Sequence, residues 1–286
     1  MITCIATDMD GTLLTGNHVI SKENKSAIMA ARRQGIEVVV ATGRSYLEAK
    51  YVLDDAGIEC PIICANGAEI RSSNGDVLLS NPIGLGETKE IIRILKDNNI
   101  YFELYTDNGT YSDDYDRAIT IILDIYMSSS KQSNYEKSLQ AAKERFENGL
   151  IHLVEDYESV LADQNVKVYK LIAFSFEQEK LQHAKDELVK LTGIAVSSSG
   201  SENIEINSID AQKGNALTAF VKHHNMKIEQ AMVIGDNYND LSMFKVAGRA
   251  VAMGNAPEEI KKQCDVVTET NENHGVAKAI MEAIQG

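Results

Sequence analysis

Two aspartates one residue apart, Asp8 and Asp10, end a short apolar run near the start of the chain, and Gly11 and Thr12 follow at once with turn chemistry. Carboxylates that close raise each other's pKa or call for a cation between them. Other polar groups follow other apolar runs. Thr42-Gly43-Arg44 succeeds Glu37–Ala41, and Gly235-Asp236-Asn237-Tyr238-Asn239-Asp240 succeeds Ala231–Ile234, while Lys213 opens a helical segment. The chemistry these groups suit is phosphoryl transfer through an enzyme carboxylate. A carboxylate can attack phosphorus and form an aspartyl-phosphate. Mg²⁺ would suit the oxygen-rich pocket of Asp8, the Asp10 carbonyl and Asp236, keeping waters and letting neighbouring carboxylates coexist ionised. The Thr42 hydroxyl, the Gly43 amide and the Lys213 ammonium suit the equatorial oxygens, where transition-state charge accumulates. Asp10 is the natural general acid for the leaving oxygen and later the base for a water.

These residues act together only if the elements before them bring them to one edge. The opening strand leads to a helix capped by Ser21 and stopped by Gly35, then to the β-branched strand Glu37–Ala41. A helix from about Ser45 to Ala56 and the apolar strand Pro61–Ala65 complete a βαβαβ pattern, which predicts a parallel sheet with right-handed crossovers. Ala68–Arg71 and Val77–Leu79 flank a hairpin signal, Ser73-Asn74-Gly75. The rhythm changes from about Gly84. A helix over Glu87–Asn98, a strand over Tyr101–Tyr105 and a turn at Asp107-Asn108-Gly109 come first. Residues 113–165 read as mostly helical, with a loop at Ser128-Ser129-Ser130. Strands near 168–176, 194–196 and 204–206 and a helix over Glu177–Leu191 follow. This predicts an α+β insert with an antiparallel sheet. The α/β rhythm resumes at Lys213 and runs through strands Ala231–Ile234, Arg249–Ala252 and Val266-Val267 to a closing helix, Gly275–Gln285. The expected architecture is α/β: a doubly wound, mostly parallel Rossmann-like core sheet from residues 1–83 and 206–286, with an inserted α+β domain over 84–205. In such a sheet the carboxyl ends of the strands share one edge, where ligands bind.

Composition narrows the function. At 286 residues, 44% hydrophobic and 24% charged, the chain has the make-up of a soluble globular protein able to bury a sizeable core. A formal net charge of −14 argues against nucleic acid or an anionic membrane surface as partner, and it means an anionic substrate must be attracted locally. Cys4, Cys60, Cys64 and Cys264 show no metal-ligand spacing and read as reduced thiols of a cytoplasmic protein. The first residues have no basic region and reach Asp8 too soon for a signal peptide.

Taken singly the motifs are weak. Asp-x-Asp-Gly and Thr-Gly after strands are ordinary turn chemistry, most lysines are solvated, and Asn239 or Asp240 can simply cap a helix. Their order is what is specific. Asp8-Met9-Asp10-Gly11-Thr12, Thr42-Gly43-Arg44, Lys213-Gly214 and Gly235 through Asp240 resemble, in sequence, the four motifs of the haloacid dehalogenase (HAD) superfamily. The insert between the second and third resembles the C2-type cap of the Cof-like sugar-phosphate phosphatases. The resemblance implies Asp8 as nucleophile, Asp10 as acid and base, and Mg²⁺ on Asp8, the Asp10 main-chain oxygen and Asp236. It further implies phosphate contacts from the Met9 amide, Thr42, Gly43, Lys213 and Asn239, with Asp240 supporting the metal site. The substrate expected is a small phosphate monoester, a sugar phosphate or a phosphorylated cofactor or nucleotide.

Several residues stay open to two readings. Arg44 suits a substrate phosphate or a pairing with a carboxylate. His223-His224 is a solvated helix end or a metal site. Tyr101, Phe102, Tyr105 and Tyr111 line a substrate pocket or pack the core of the insert. Linkers near Pro82-Ile83-Gly84 and Ser208-Ile209-Asp210 would let a cap close. A phosphotransferase or phosphomutase would use the same intermediate and pass the group to a sugar hydroxyl. A silent phospho-ligand sensor is the third possibility, against which the complete acid/base set argues.

Overall fold

The computed structural model describes residues 1–129, 135–198 and 202–285. The chain opens with β1 (Cys4–Thr7), α1 (Lys22–Arg33), β2 (Glu37–Ala41), α2 (Tyr46–Asp55), β3 (Ile62–Cys64), β4 (Glu69–Arg71) and β5 (Val77–Ser80). Then come α3 (Leu85–Asp97), β6 (Tyr101–Thr106), β7 (Gly109–Ser112), α4 (Tyr115–Ser129), α5 (Tyr135–Glu147), β8 (Ile151–Leu153), α6 (Tyr157–Leu161), β9 (Val168–Phe174), α7 (Gln178–Leu188), β10 (Ile194–Ser197) and β11 (Asn203–Ser208). The last part comprises α8 (Lys213–His223), β12 (Ala231–Gly235), α9 (Leu241–Val246), β13 (Arg249–Ala252), α10 (Glu258–Lys261), β14 (Val266–Val267) and α11 (Gly275–Gln285). Two compact units result: Met1–Asn81 with Asp210–Gly286, and Pro82–Ile209. A boundary at 206 would cut through β11, whose ladder with β9 runs from Asn203 to Asn207, so the whole strand lies in the second unit.

The first unit is built on an eight-stranded sheet, in the order β14-β13-β12-β1-β2-β3-β4-β5. Its pairs are parallel from β14 to β3, and the hairpin β4–β5 adds antiparallel at one edge. Strands covered on both faces must be apolar throughout, and alternate residues go to opposite sides. Ile5, Val38, Val40, Met232 and Ile234 face α1, α2 and α11, while Cys4, Ala6, Val39, Ala41 and Val233 face α8 and α9. The chain winds from β1 to β3 in one direction and from β12 to β14 in the other. The reversal at β1 places the switch point of the sheet beside Asp8.

The second unit has a six-stranded sheet, β10-β11-β9-β6-β7-β8. Its pairs are antiparallel except β7–β8, which is parallel and corrects the expectation of a wholly antiparallel sheet. β8 lies inside the stretch read as mostly helical. It is a three-residue edge strand with only Ile151 buried, too short for periodicity to register. Ser128 and Ser129, expected in a loop, are the last residues of α4, where serine costs a helix little; Ser130 lies outside the described residues. Phe102, with Leu104, Leu171 and Ile204, packs under Ile91, Leu95, Leu181 and Leu188, and Tyr111 lies against this cluster. Tyr101 and Tyr105 pack with Ala118, Ile121, Ile172 and Phe174. All four aromatic rings therefore serve the core of this unit. Among the described residues no helix is long and apolar enough to cross a membrane.

Candidate active site

Asp8 continues β1 by one residue: its amide donates to the Ile234 carbonyl at 2.8 Å, and the residue is buried. The chain then makes one wide turn over Met9–Leu13, closed by Leu13 N–H to Asp8 O (3.3 Å) and Leu14 N–H to Met9 O (2.9 Å). Gly11 sits in this turn at φ +73°, and a Cβ there would lie 2.4 Å from Asp236 Oδ2, so only glycine lets the turn and Asp236 meet. The Thr12 hydroxyl donates to the other oxygen, Asp236 Oδ1, at 2.7 Å. Asn255, which the motifs do not include, donates from Nδ2 to the Gly11 carbonyl at 2.8 Å and holds the turn from the other side. The Met9 side chain is buried in the core, leaving its main chain toward the turn.

Lys213, the first residue of α8, is fully buried between two carboxylates. Its Nζ donates to Asp8 Oδ1 at 2.6 Å and to Asp240 Oδ1 at 2.7 Å. The other Asp240 oxygen accepts the amides of Asp236 (3.0 Å) and Asn237 (3.1 Å), so Asp240 locks the loop that carries Asp236. Burial drives the Asp8 carboxyl well above the usual carboxylate range, with Asp240 and Asp236 adding to the rise and the Lys213 ammonium opposing it. Burial likewise lifts Asp236 to about 6, against its hydrogen bond from Thr12. For Lys213, burial works against the charge, but Asp240 and Asp8 outweigh it and hold the ammonium firmly protonated.

Oxygens of Asp8, Asp236 and Asp240 lie within 4.8 Å of one another. Hard carboxylate donors gathered in a buried pocket fit a divalent cation. Asp240 already accepts three N–H groups, so Asp8 and Asp236 are the carboxylates with oxygens to offer. The Asp10 side chain is turned elsewhere: it is 49% exposed and takes Arg44 Nε (2.8 Å) and Nη2 (2.6 Å) on its two oxygens. Partial loss of water pushes the Asp10 carboxyl up, and the Arg44 guanidinium outweighs this and holds it below the usual range. Of the two readings of Arg44, the structure thus shows the pairing with a carboxylate.

Thr42, wholly buried, caps β2 with its amide on Ile63 O (2.8 Å), and its Oγ1 accepts the Arg44 amide (3.1 Å), leaving the hydroxyl proton to donate. Gly43 lies between the two. Asn239, in the turn that follows β12, donates from Nδ2 to Asn66 Oδ1 at 3.3 Å. Asn66-Gly67 reads in the sequence only as the end of a strand, and Asn-Gly there is common turn chemistry; nothing local marks it as part of the site. His223 and His224 are edge-on at the end of α8, with His224 against Phe220; among the described residues the acidic cluster is the one group of three or more such side chains placed so that it could hold a metal ion.

The strand ends of β1, β2 and β12 and the first turn of α8 therefore converge on one buried acidic pocket with one buried ammonium. The family profile of the haloacid dehalogenase-like hydrolases matches residues 5–280. The phosphatase YwpJ of Bacillus subtilis is 36% identical over 275 residues, covering 96% of each chain. The same organism's 5-amino-6-(5-phospho-D-ribitylamino)uracil phosphatase YwtE is 38% identical over 284 residues, 99% of this chain and 98% of that one. A haloacid dehalogenase-like hydrolase of B. subtilis of known structure superposes with a TM-score of 0.89 at 34% identity, covering 98% of this chain and 99% of the other. With motifs, fold and relatives in agreement over its whole length, the chain belongs to the haloacid dehalogenase-like hydrolases.

Proposed function

We propose that this chain is a Mg²⁺-dependent phosphatase that hydrolyses a small phosphate monoester through an aspartyl-phosphate on Asp8. The observation that carries the reading is Asp8 itself: a buried carboxylate at the sheet's switch point, held by Lys213 through Oδ1 and with an oxygen within 4.8 Å of oxygens of Asp236 and Asp240. Asp8 attacks phosphorus in line with the ester oxygen, which departs with a proton from Asp10. A water that gives its proton to Asp10 then attacks the same phosphorus, releasing inorganic phosphate and restoring Asp8. The ammonium of Lys213, the hydroxyl of Thr42, the amides of Met9 and Gly43 and the side chain of Asn239 hold the equatorial oxygens. Asp8, Asp236 and the Asp10 main-chain oxygen would hold Mg²⁺, which supplies charge neutralisation among the carboxylates and the incoming phosphate.

Arg44 adds a condition to this scheme. With both its oxygens on the guanidinium, Asp10 is an ionised base ready for the water step. To donate a proton to the leaving group it must first part from Arg44.

We assign residues 82–209 the part of a C2-type cap, the unit that chooses the substrate. The relative named for a phosphoribitylaminouracil supports a small phosphorylated metabolite as the substrate class. The test is a panel of sugar phosphates, phosphorylated cofactors and nucleotides with Mg²⁺ and water as sole acceptor. Release of inorganic phosphate is expected. Transfer only to an added sugar hydroxyl, or ligand binding with no turnover, would contradict the reading.

A further inference from the structure

The turn Ala65-Asn66-Gly67 at the end of β3 ties together loops that the four motifs leave separate. Ala65, Asn66 and Gly67 have φ of +45°, +59° and +100°, three left-handed residues in succession. Such a conformation costs an L-residue about 1 kcal/mol or more and persists where the surroundings hold it. Here they do. The Ala65 amide donates to Arg44 O at 2.8 Å and the Asn66 amide to Thr42 O at 3.0 Å, fastening the turn to the loop after β2. On its other side Gly67 presses on the start of α8: a Cβ there would lie 2.5 Å from Gln212 O and 3.0 Å from Lys213 N. The Asn66 side chain, buried, reaches the loop after β12 and accepts from Asn239 Nδ2.

We infer that this turn is a further part of the reaction centre, with Asn66 as a positioning residue for Asn239 and Gly67 as the seat of Lys213. The inference rests on the reading of Asn239 and Lys213 as phosphate ligands. Asn66 Oδ1 accepts and cannot donate, so Asn239 must turn its amide nitrogen toward it. That fixes the Asn239 side chain and leaves its second N–H to donate to an anion. Released from Asn66, the same side chain can present its oxygen, which repels a phosphate. The left-handed backbone is what aims Asn66 along this line, and asparagine is among the few side chains that tolerate it.

Affinity for inorganic phosphate in the presence of Mg²⁺ is measured for the wild type, Asn66→Gly, Asn239→Ala and the double variant, beside turnover of p-nitrophenyl phosphate. Glycine accepts the backbone of this position, so Asn66→Gly removes the amide and keeps the turn. Each single variant is expected to lose about tenfold in phosphate affinity, and the double variant no more than Asn239→Ala alone. Asn66→Asp keeps an acceptor and the backbone preference, so Asn239→Ala still costs about tenfold in that background. Additive losses, unchanged affinity in Asn66→Gly, or loss of its melting transition would overturn the assignment, as would a wild type that binds no phosphate. Phosphate binding without turnover of any ester would contradict the hydrolase reading alone and leave the cycle to decide on Asn66.

Discussion

The ammonium of Lys213 lies 2.6 Å from Asp8 Oδ1, and both groups are removed from water. Asp240, at 2.7 Å from the same nitrogen, makes the arrangement a buried triad of one cation and two anions. Removing the cation leaves two carboxylates buried without a partner, which costs far more than the group's net contribution, whereas neutralising one carboxylate leaves a matched pair. Lys213→Met should lower unfolding stability by about 3 kcal/mol in metal-free protein. Asp240→Asn in the same chain should recover part of that loss, because it removes one of the two stranded carboxylates. Urea unfolding of Lys213→Met, Asp240→Asn and the double variant checks this, and additive losses would contradict it.

Gly11 and Asp236 should be coupled through space. Gly11→Ala puts a Cβ 2.4 Å from Asp236 Oδ2 and demands φ +73° of alanine. The carboxylate must move while the sheet beneath stays in place. Mg²⁺ affinity should fall by about tenfold, the order of one lost ligand contact, with the far-ultraviolet dichroism unchanged. Wild-type affinity in this variant would mean that Asp236 does not hold the metal.

Metal should stabilise the fold by mass action. At a hundredfold excess over its dissociation constant, Mg²⁺ adds about 2.7 kcal/mol to a protein that binds it only when folded. A thermal shift on adding Mg²⁺, reversed by a chelator and lost in Asp236→Asn, is the expected pattern. A shift that survives Asp236→Asn would place the metal elsewhere.

The thiols report on burial. Cys4, Cys60 and Cys64 are buried, and burial pushes the first two up to about 12. A raised thiol pKa means that the reactive thiolate is missing below that value and appears only as pH rises through it. At pH 8 these three should resist a thiol reagent in the native protein and react in urea. Native labelling of Cys4 at the rate seen in urea would contradict the buried central strand.

How much of this was legible beforehand follows from burial. The runs at Cys4–Thr7, Glu37–Ala41 and Ala231–Gly235 are apolar on both faces because helices cover both, and polar residues at their ends mark the site. That is why Asp8, Thr42 and Asp236 stand out in sequence. Ile151–Leu153 is an edge strand with one buried residue and carries no such pattern. Lys213 gains its weight from motif order alone; what seats it is Gly67, far away in sequence and visible only once α8 meets the end of β3. The Arg44–Asp10 pair was one of two readings, and the choice between them depends on side-chain geometry that no spacing encodes.

The central claim is that the phosphoryl group passes through Asp8. The most direct measurement is acid quenching during steady turnover with Mg²⁺, followed by mass spectrometry of the peptide that contains Asp8. The account predicts added mass of one phosphoryl group on Asp8, absent from Asp8→Asn, which should fold normally and lose turnover. Turnover at the wild-type rate in Asp8→Asn, or a phosphoryl group trapped on another residue, would contradict it.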